Sequence, residues 1–164
     1  MKYKTQEPEQ EKSGMNKELY DMFVDLIQFE INKLSFIHSA KIYFYHNGYI
    51  DYKKFFKHMY KACEATKYCL MNFLIESLEP IPDFTIPALN LQFRDKFEPF
   101  EILQKMEDDY AEKINALALK AFEIKDMHVL AYIINKLNEI KHIACIALEA
   151  VKNDQNPLDL IECE

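Results

Sequence analysis

Helix-breaking residues are scarce in this chain and confined to a few places, and that distribution constrains the fold more than any other feature. The 164 residues include two glycines, Gly14 and Gly48, and six prolines, which fall in the N-terminal tail, in a central segment from Pro80 to Pro99 and in the C-terminal tail. Glycine and proline are the residues that most readily interrupt a helix, so the intervals between them are free to run as long helices. Apolar residues recur there in alternating steps of three and four, the helical period. One pattern runs from about Asn16 to His46 and stops at Asn47-Gly48, and a second runs from about Tyr49 to Glu79, ended by Pro80 and Pro82. A third begins near Pro99, which suits a first helical turn. A fourth follows the short Lys125-Asp126 turn, capped by Asp126, and continues to about Lys152.

The connections set the topology. Those between helices one and two, and between three and four, are too short to do anything but reverse direction, so each pair forms an antiparallel hairpin. The middle connection is about twenty residues, enough to run the length of a helix pair, and its Phe84, Ile86, Leu89, Leu91 and Phe93 are expected to pack on the bundle surface. The expectation is an all-α four-helix bundle with one long crossover between helices two and three. It occupies residues 15–152, after a flexible polar tail at 1–14 and before a short C-terminal tail at 153–164.

Composition narrows the function classes. With 49% hydrophobic and 29% charged residues, the chain has the balance of one soluble domain with a substantial core. No apolar run of about twenty residues exists to span a bilayer, and the start MKYKTQEPEQEK lacks the apolar core of a signal peptide, so no membrane partner and a cytoplasmic location are expected. Cys63, Cys69, Cys145 and Cys163 form no CxxC pair and read as reduced thiols. A net charge of -7 with no basic stripe argues against a nucleic-acid-binding body, Lys2 and Lys4 of the tail leaving only weak contact open.

Two glutamates interrupt the apolar pattern. One stripe reads Phe23, Ile27, Glu30, Leu34, Ile37, and another reads Phe100, Leu103, Glu107, Tyr110, Ile114, Leu117, which puts both carboxylates on core faces. A buried carboxylate costs several kcal/mol unless a hydrogen bond, a counter-charge or a metal ion satisfies it. Glu30 lies sixteen residues before the end of helix one and Cys63 about fifteen into helix two, so both stand roughly 22 to 24 Å from that turn. Glu107 and Ile140 are similarly matched about the second turn. One layer should therefore gather Glu30, Cys63 with Thr66, Glu107 and Ile140. A neighbouring Tyr, Lys or His, such as Tyr110, is the plain alternative to a metal as their partner. A second cluster, Glu139-Ile140-Lys141-His142, is a Glu-x-x-His expected on helix four, where three-residue spacing lets Glu139 and His142 share a metal, with Asp108, Asp109 and Glu112 nearby. The plain reading of that cluster is a solvated helix face.

With those residues in place, the stretch from about Asn16 to Lys152 resembles ferritin, especially the bacterial non-haem and animal chains. The likeness rests on the connection lengths, the placement of Glu30 and Glu107, and short stretches such as Lys113-Ile114-Asn115 and Leu137-Asn138-Glu139. It implies an iron-storing shell, usually of twenty-four copies, whose active chains oxidise Fe(II) at a di-iron centre. By position Glu30 and Glu107 match two ligands of that centre, while Cys63, Thr66 and Ile140 stand where Glu, His and Gln or Glu are expected. A one-residue shift in helix two would bring Glu64 and Lys67 there instead, at the cost of the face shared by Cys63, Thr66 and Leu70. Glu139 and His142 fall near an inner-surface iron site, and Pro157 to Cys163 is too short for more than a remnant of the usual fifth helix.

Three readings follow. The first is iron storage or sequestration by a homo-oligomeric shell with an incomplete di-iron site and with mineralisation aided by inner acidic residues. The second is an active ferroxidase with iron ligands relocated among Glu30, Glu107, Asp108, Glu139 and His142. The third is a metal-free helical scaffold or interaction protein.

Overall fold

The computed structural model describes residues 14–161, so residues 1–13 of the expected tail, and Cys163, lie outside the described residues. Helix α1 spans Lys17–His46, and Asn16 caps it by accepting hydrogen bonds from the N–H groups of Glu18 (3.0 Å) and Leu19 (3.3 Å). It stops at Asn47-Gly48, where Gly48 takes a φ of 78° that side-chain-bearing residues rarely adopt. Helix α2 spans Ile50–Glu76 and helix α3 spans Glu98–Glu123, with Pro99 in its first turn. The Asp95 carboxylate accepts from the N–H groups of Phe97 and Glu98, at 2.9 and 3.0 Å, as α3 begins. After the reversal at Lys125, Asp126 accepts from Val129 N–H (3.0 Å) and starts helix α4, Met127–Asn138.

The fourth helical pattern departs from expectation. It does not run unbroken to Lys152: α4 ends at Asn138, residues 139–142 are non-helical, and a new helix, α5, spans Ile143–Lys152. The Glu139-x-x-His142 spacing therefore does not lie on a helix. No Gly or Pro marks this break, and its support is tertiary: Glu107 on α3 accepts a hydrogen bond from Ala144 N–H (3.0 Å), serving the exposed donor end of α5 as a cap from another helix. A single 3₁₀ turn, Pro157–Leu160, follows and packs on α2 and α5.

The crossover, residues 77–97, runs alongside α1 in the same direction. Four polar side chains along α1 hold it: Tyr20 donates to the Pro80 carbonyl (2.8 Å), Gln28 exchanges two hydrogen bonds with Thr85 (2.7 and 3.0 Å), Ser35 donates to Pro87 (3.0 Å), and Ser39 accepts from Asn90 N–H (3.2 Å). Phe84 and Phe93 pack partly buried as expected, whereas Ile86, Leu89 and Leu91 stay exposed. This route brings α3 in antiparallel to α1. Phe100 at its start packs on Phe44 near the end of α1, and Lys120 at its end pairs with Glu18 at the beginning (2.8 Å). Among the described residues no helix is long and apolar enough to cross a membrane.

Two apolar cores fill the bundle, one toward each end. At the α1–α2 turn, Phe44, Phe55, Phe56 and Phe100 are fully buried and meet mainly edge-on or tilted, with Leu103, Ala147 and Val151 around them. At the other end Leu19, Phe23, Ile27, Leu70, Ile114, Leu117 and Ile133 close the second core, where Phe73 stacks on both Tyr132 (4.0 Å) and Phe23 (5.2 Å). Each fully buried Phe contributes roughly 1.5–3 kcal/mol over leaving it in water. One expectation about charge fails here. Lys54, Lys57, His58 and Lys61 are all exposed on one stripe of α2, a basic stripe that the acidic total of the chain conceals.

Candidate functional site

Between the two cores lies a polar layer around a cavity of about 190 Å³. Its lining includes Glu30, Cys63, Thr66, Glu107 and Ile140, the five residues that helix-length arithmetic placed level with one another. Lys33, Lys136 and Lys141, together with Tyr110 and Glu139, complete its polar lining.

Glu30 is buried to 1% exposure, because α1 presents positions 27, 30, 34 and 37 to the interior. The Cys63 thiol donates to its Oε2 (2.9 Å) and sits 3.6 Å from its backbone carbonyl. Its other oxygen, Oε1, is buried with no hydrogen-bond partner. Burial drives the pKa of Glu30 up, against the opposing pull of the Lys33 charge and the thiol hydrogen bond. Burial and the adjacent Glu30 charge push the Cys63 thiol well above its ordinary range, which favours the neutral donor form. Cys69 and Cys145 are free and exposed.

Glu107 is less deeply buried and differently held. Burial again raises its pKa, opposed first by the hydrogen bond from Ala144 N–H and then by the charges of Lys33 and His142. Thr66 bonds back to the Ala62 carbonyl of its own helix (3.1 Å), which leaves its methyl and hydroxyl as a small wall. Tyr110, its own pKa raised by burial and the Glu30 charge, carries Lys33 over its ring at 5.6 Å.

The Glu139 and His142 pair is divided. Glu139 stands at the rim of the cavity with its side chain largely exposed, and its Oε2 accepts from Lys136 Nζ (2.8 Å). His142 is not among the lining residues; it is exposed, with Nδ1 3.8 Å from Asp108 Oδ1. Among the described residues no group of three or more His, Cys, Asp or Glu side chains is placed to hold a metal ion. The sequence reading missed the three lysines and the capping role of Glu107. Lys33 was open to detection, since it follows Glu30 by one turn on the same side of α1.

No family model matches the chain and no curated protein matches it. Solved structures do. A form of the Archaeoglobus fulgidus ferritin engineered to be closed superposes with a TM-score of 0.79 at 14% identity, over 90% of this chain and 94% of that one. A humanized archaeal ferritin matches at 0.74 and 17% identity, over 91% and 84%. A PmFTN variant soaked in iron matches at 0.70 and 17%, over 83% and 92%. With the one-crossover topology and the end-to-end coverage, these likenesses show the fold: the chain is a ferritin-like four-helix bundle.

Proposed function

We propose that the chain is a ferritin-like subunit that stores or sequesters iron as part of a cytoplasmic homo-oligomeric shell, with twenty-four copies the expected size, and that its bundle centre falls short of a di-iron ferroxidase site. One observation carries the second half of this reading. Around Glu30 and Glu107 at the bundle centre, the cavity lining offers Cys63, Thr66, Ile140, Tyr110 and three lysines, and its one further carboxylate, Glu139, is taken up by Lys136. Two Fe(II) ions need several convergent carboxylates and imidazoles. Here the thiol occupies one Glu30 oxygen, a helix amide occupies one Glu107 oxygen, and lysine ammoniums supply the positive charge that metal ions would bring. Those donors do not fit a di-iron pair.

Iron is then cargo, gathered outside the cavity as mineral with the help of acidic side chains of the shell's inner surface rather than held by a set of ligands. The fold likeness to ferritins, one of them soaked in iron, supports storage at this general level. The relocated-ligand ferroxidase finds less support, because His142 pairs with exposed Asp108 while Glu139 is taken up by Lys136 at the cavity rim. The metal-free scaffold draws on the same lysines.

Native mass spectrometry and aerobic Fe(II) addition test the reading together. A large closed assembly that loads iron slowly, without a fast saturable oxidation phase, is the expected result. A monomer or dimer would sink shell storage, fast saturable oxidation would favour the relocated ferroxidase, and neither oxidation nor iron retention would favour the scaffold. Replacing Glu139 and His142 together should leave iron uptake unchanged.

A further inference from the structure

The basic stripe on α2 is a second constellation, separate from the bundle centre and independent of the iron reading. Residues 53–61 hold four lysines and one histidine with no acid, in a chain whose net charge is -7. Lys54, Lys57, His58 and Lys61 follow one another at helical spacing, so they share a face. The structure adds what a stripe alone lacks. These four side chains, with Leu158 from the C-terminal 3₁₀ turn, line a single hollow of about 350 Å³, and no carboxylate is among its lining residues. Like charges at three- and four-residue spacing repel. Lys41 on α1 has its pKa lowered by burial and then by the charges of Lys57 and Lys53. Lys41 and Lys53 line an adjoining hollow with His38, Ile42 and Tyr45.

We infer that the hollow between α2 and the 3₁₀ turn binds a phosphoryl oxyanion, either inorganic phosphate or the phosphate of a small monoester, through Lys54, Lys57, His58 and Lys61. A multiply charged anion with several acceptor oxygens is the ligand that three ammonium groups and an imidazole can satisfy at once, each by a charge-assisted hydrogen bond. A polynucleotide is disfavoured because the cationic stripe covers little more than two turns of α2, and the rest of the chain is acidic.

Calorimetric titration of the full chain at low salt, with ³¹P resonance broadening as a second readout, tests the assignment. Inorganic phosphate and glycerol phosphate are separate arms, and a short single-stranded oligonucleotide is a third. The expected result is saturable binding of about one phosphate per chain, weakened about tenfold or more in the double variant Lys57→Gln with Lys61→Gln and weakened by added salt. Lys152→Gln, a surface change elsewhere, should leave it intact. Binding in both small-molecule arms, or in the inorganic phosphate arm alone, supports the site, and preference for glycerol phosphate identifies a monoester as the source. Non-saturable binding, equal affinity in the double variant, or binding of the oligonucleotide without either small phosphate would overturn the assignment. The replaced lysines are exposed, and far-ultraviolet circular dichroism checks that the variant is folded.

Discussion

The two hairpins of the bundle meet the same cavity in opposite ways. In the first, α1 and α2 run unbroken past it, and the buried carboxylate of Glu30 is met by a neutral thiol donor on the facing helix. In the second, the fourth helical stretch is interrupted at that level, and the carboxylate of Glu107 is met by the N–H of Ala144 in the first turn of α5. A carboxylate in an apolar layer needs a donor. The first hairpin supplies one from a side chain and keeps its helix geometry, whereas the second supplies one from the backbone, which requires a helix start beside it. The break in helix four and the satisfaction of Glu107 are one arrangement.

The largest expected effect comes from removing the donor in the intact hairpin. Cys63→Ala leaves Glu30 buried with no partner on either oxygen and opens a small void, which together cost about 2 kcal/mol or more. Urea unfolding monitored by circular dichroism measures it. A loss within experimental error of zero would mean that the thiol does not support Glu30, and the contrast between the hairpins would collapse.

A pH profile sharpens the same contrast. Burial raises the Glu30 pKa above its ordinary value of 4.5, so the folded state holds this proton more tightly than the unfolded chain does. The stabilisation due to the protonated group is therefore complete below about pH 4.5 and is lost as pH rises through the folded-state value. Glu30→Gln cannot titrate. Its stability relative to the parent chain should improve steadily as pH is raised from about 4.5 toward neutrality. Glu107→Gln should show the same sign with a smaller slope, since Glu107 is less buried and holds a backbone hydrogen bond. Unfolding free energies across that range decide it, and parallel curves for parent and Glu30→Gln would refute the assignment.

What was legible in the sequence was local or arithmetical. Asn16, Asp126 and Asn47-Gly48 act where their chemistry places them, because caps and left-handed turns depend on a few adjacent residues. Glu30, Cys63, Thr66, Glu107 and Ile140 share one cavity because the rise per residue and two tight turns leave little freedom in height. The break at 139–142 was not legible, since the acceptor that sustains it comes from α3 and no local residue announces it. Lys136 and Lys141, unlike Lys33, escaped for another reason: long side chains reach the lining of a cavity from backbone positions at its edge. The exposure of Ile86, Leu89 and Leu91 was missed because an extended crossover packed on one helix buries only part of its side chains.

Removing the acceptor in the broken hairpin has the smallest expected effect and the most local one. Glu107→Ala strips α5 of the carboxylate that caps its first turn, and losing such a cap typically costs about 1 kcal/mol. The loss should be concentrated in α5, so amide exchange there, Ala144 first, should accelerate while α1 and α2 keep their protection. The variant also tests whether the break exists for the sake of Glu107 or the reverse. If helix four closes into one continuous helix when the carboxylate is gone, with exchange protection appearing across residues 139–142, then Glu107 holds the break open. If the break persists with only α5 loosened, the interruption is set by the packing of Ile140 and Ile143 on opposite cores, and Glu107 merely exploits the free amide it creates.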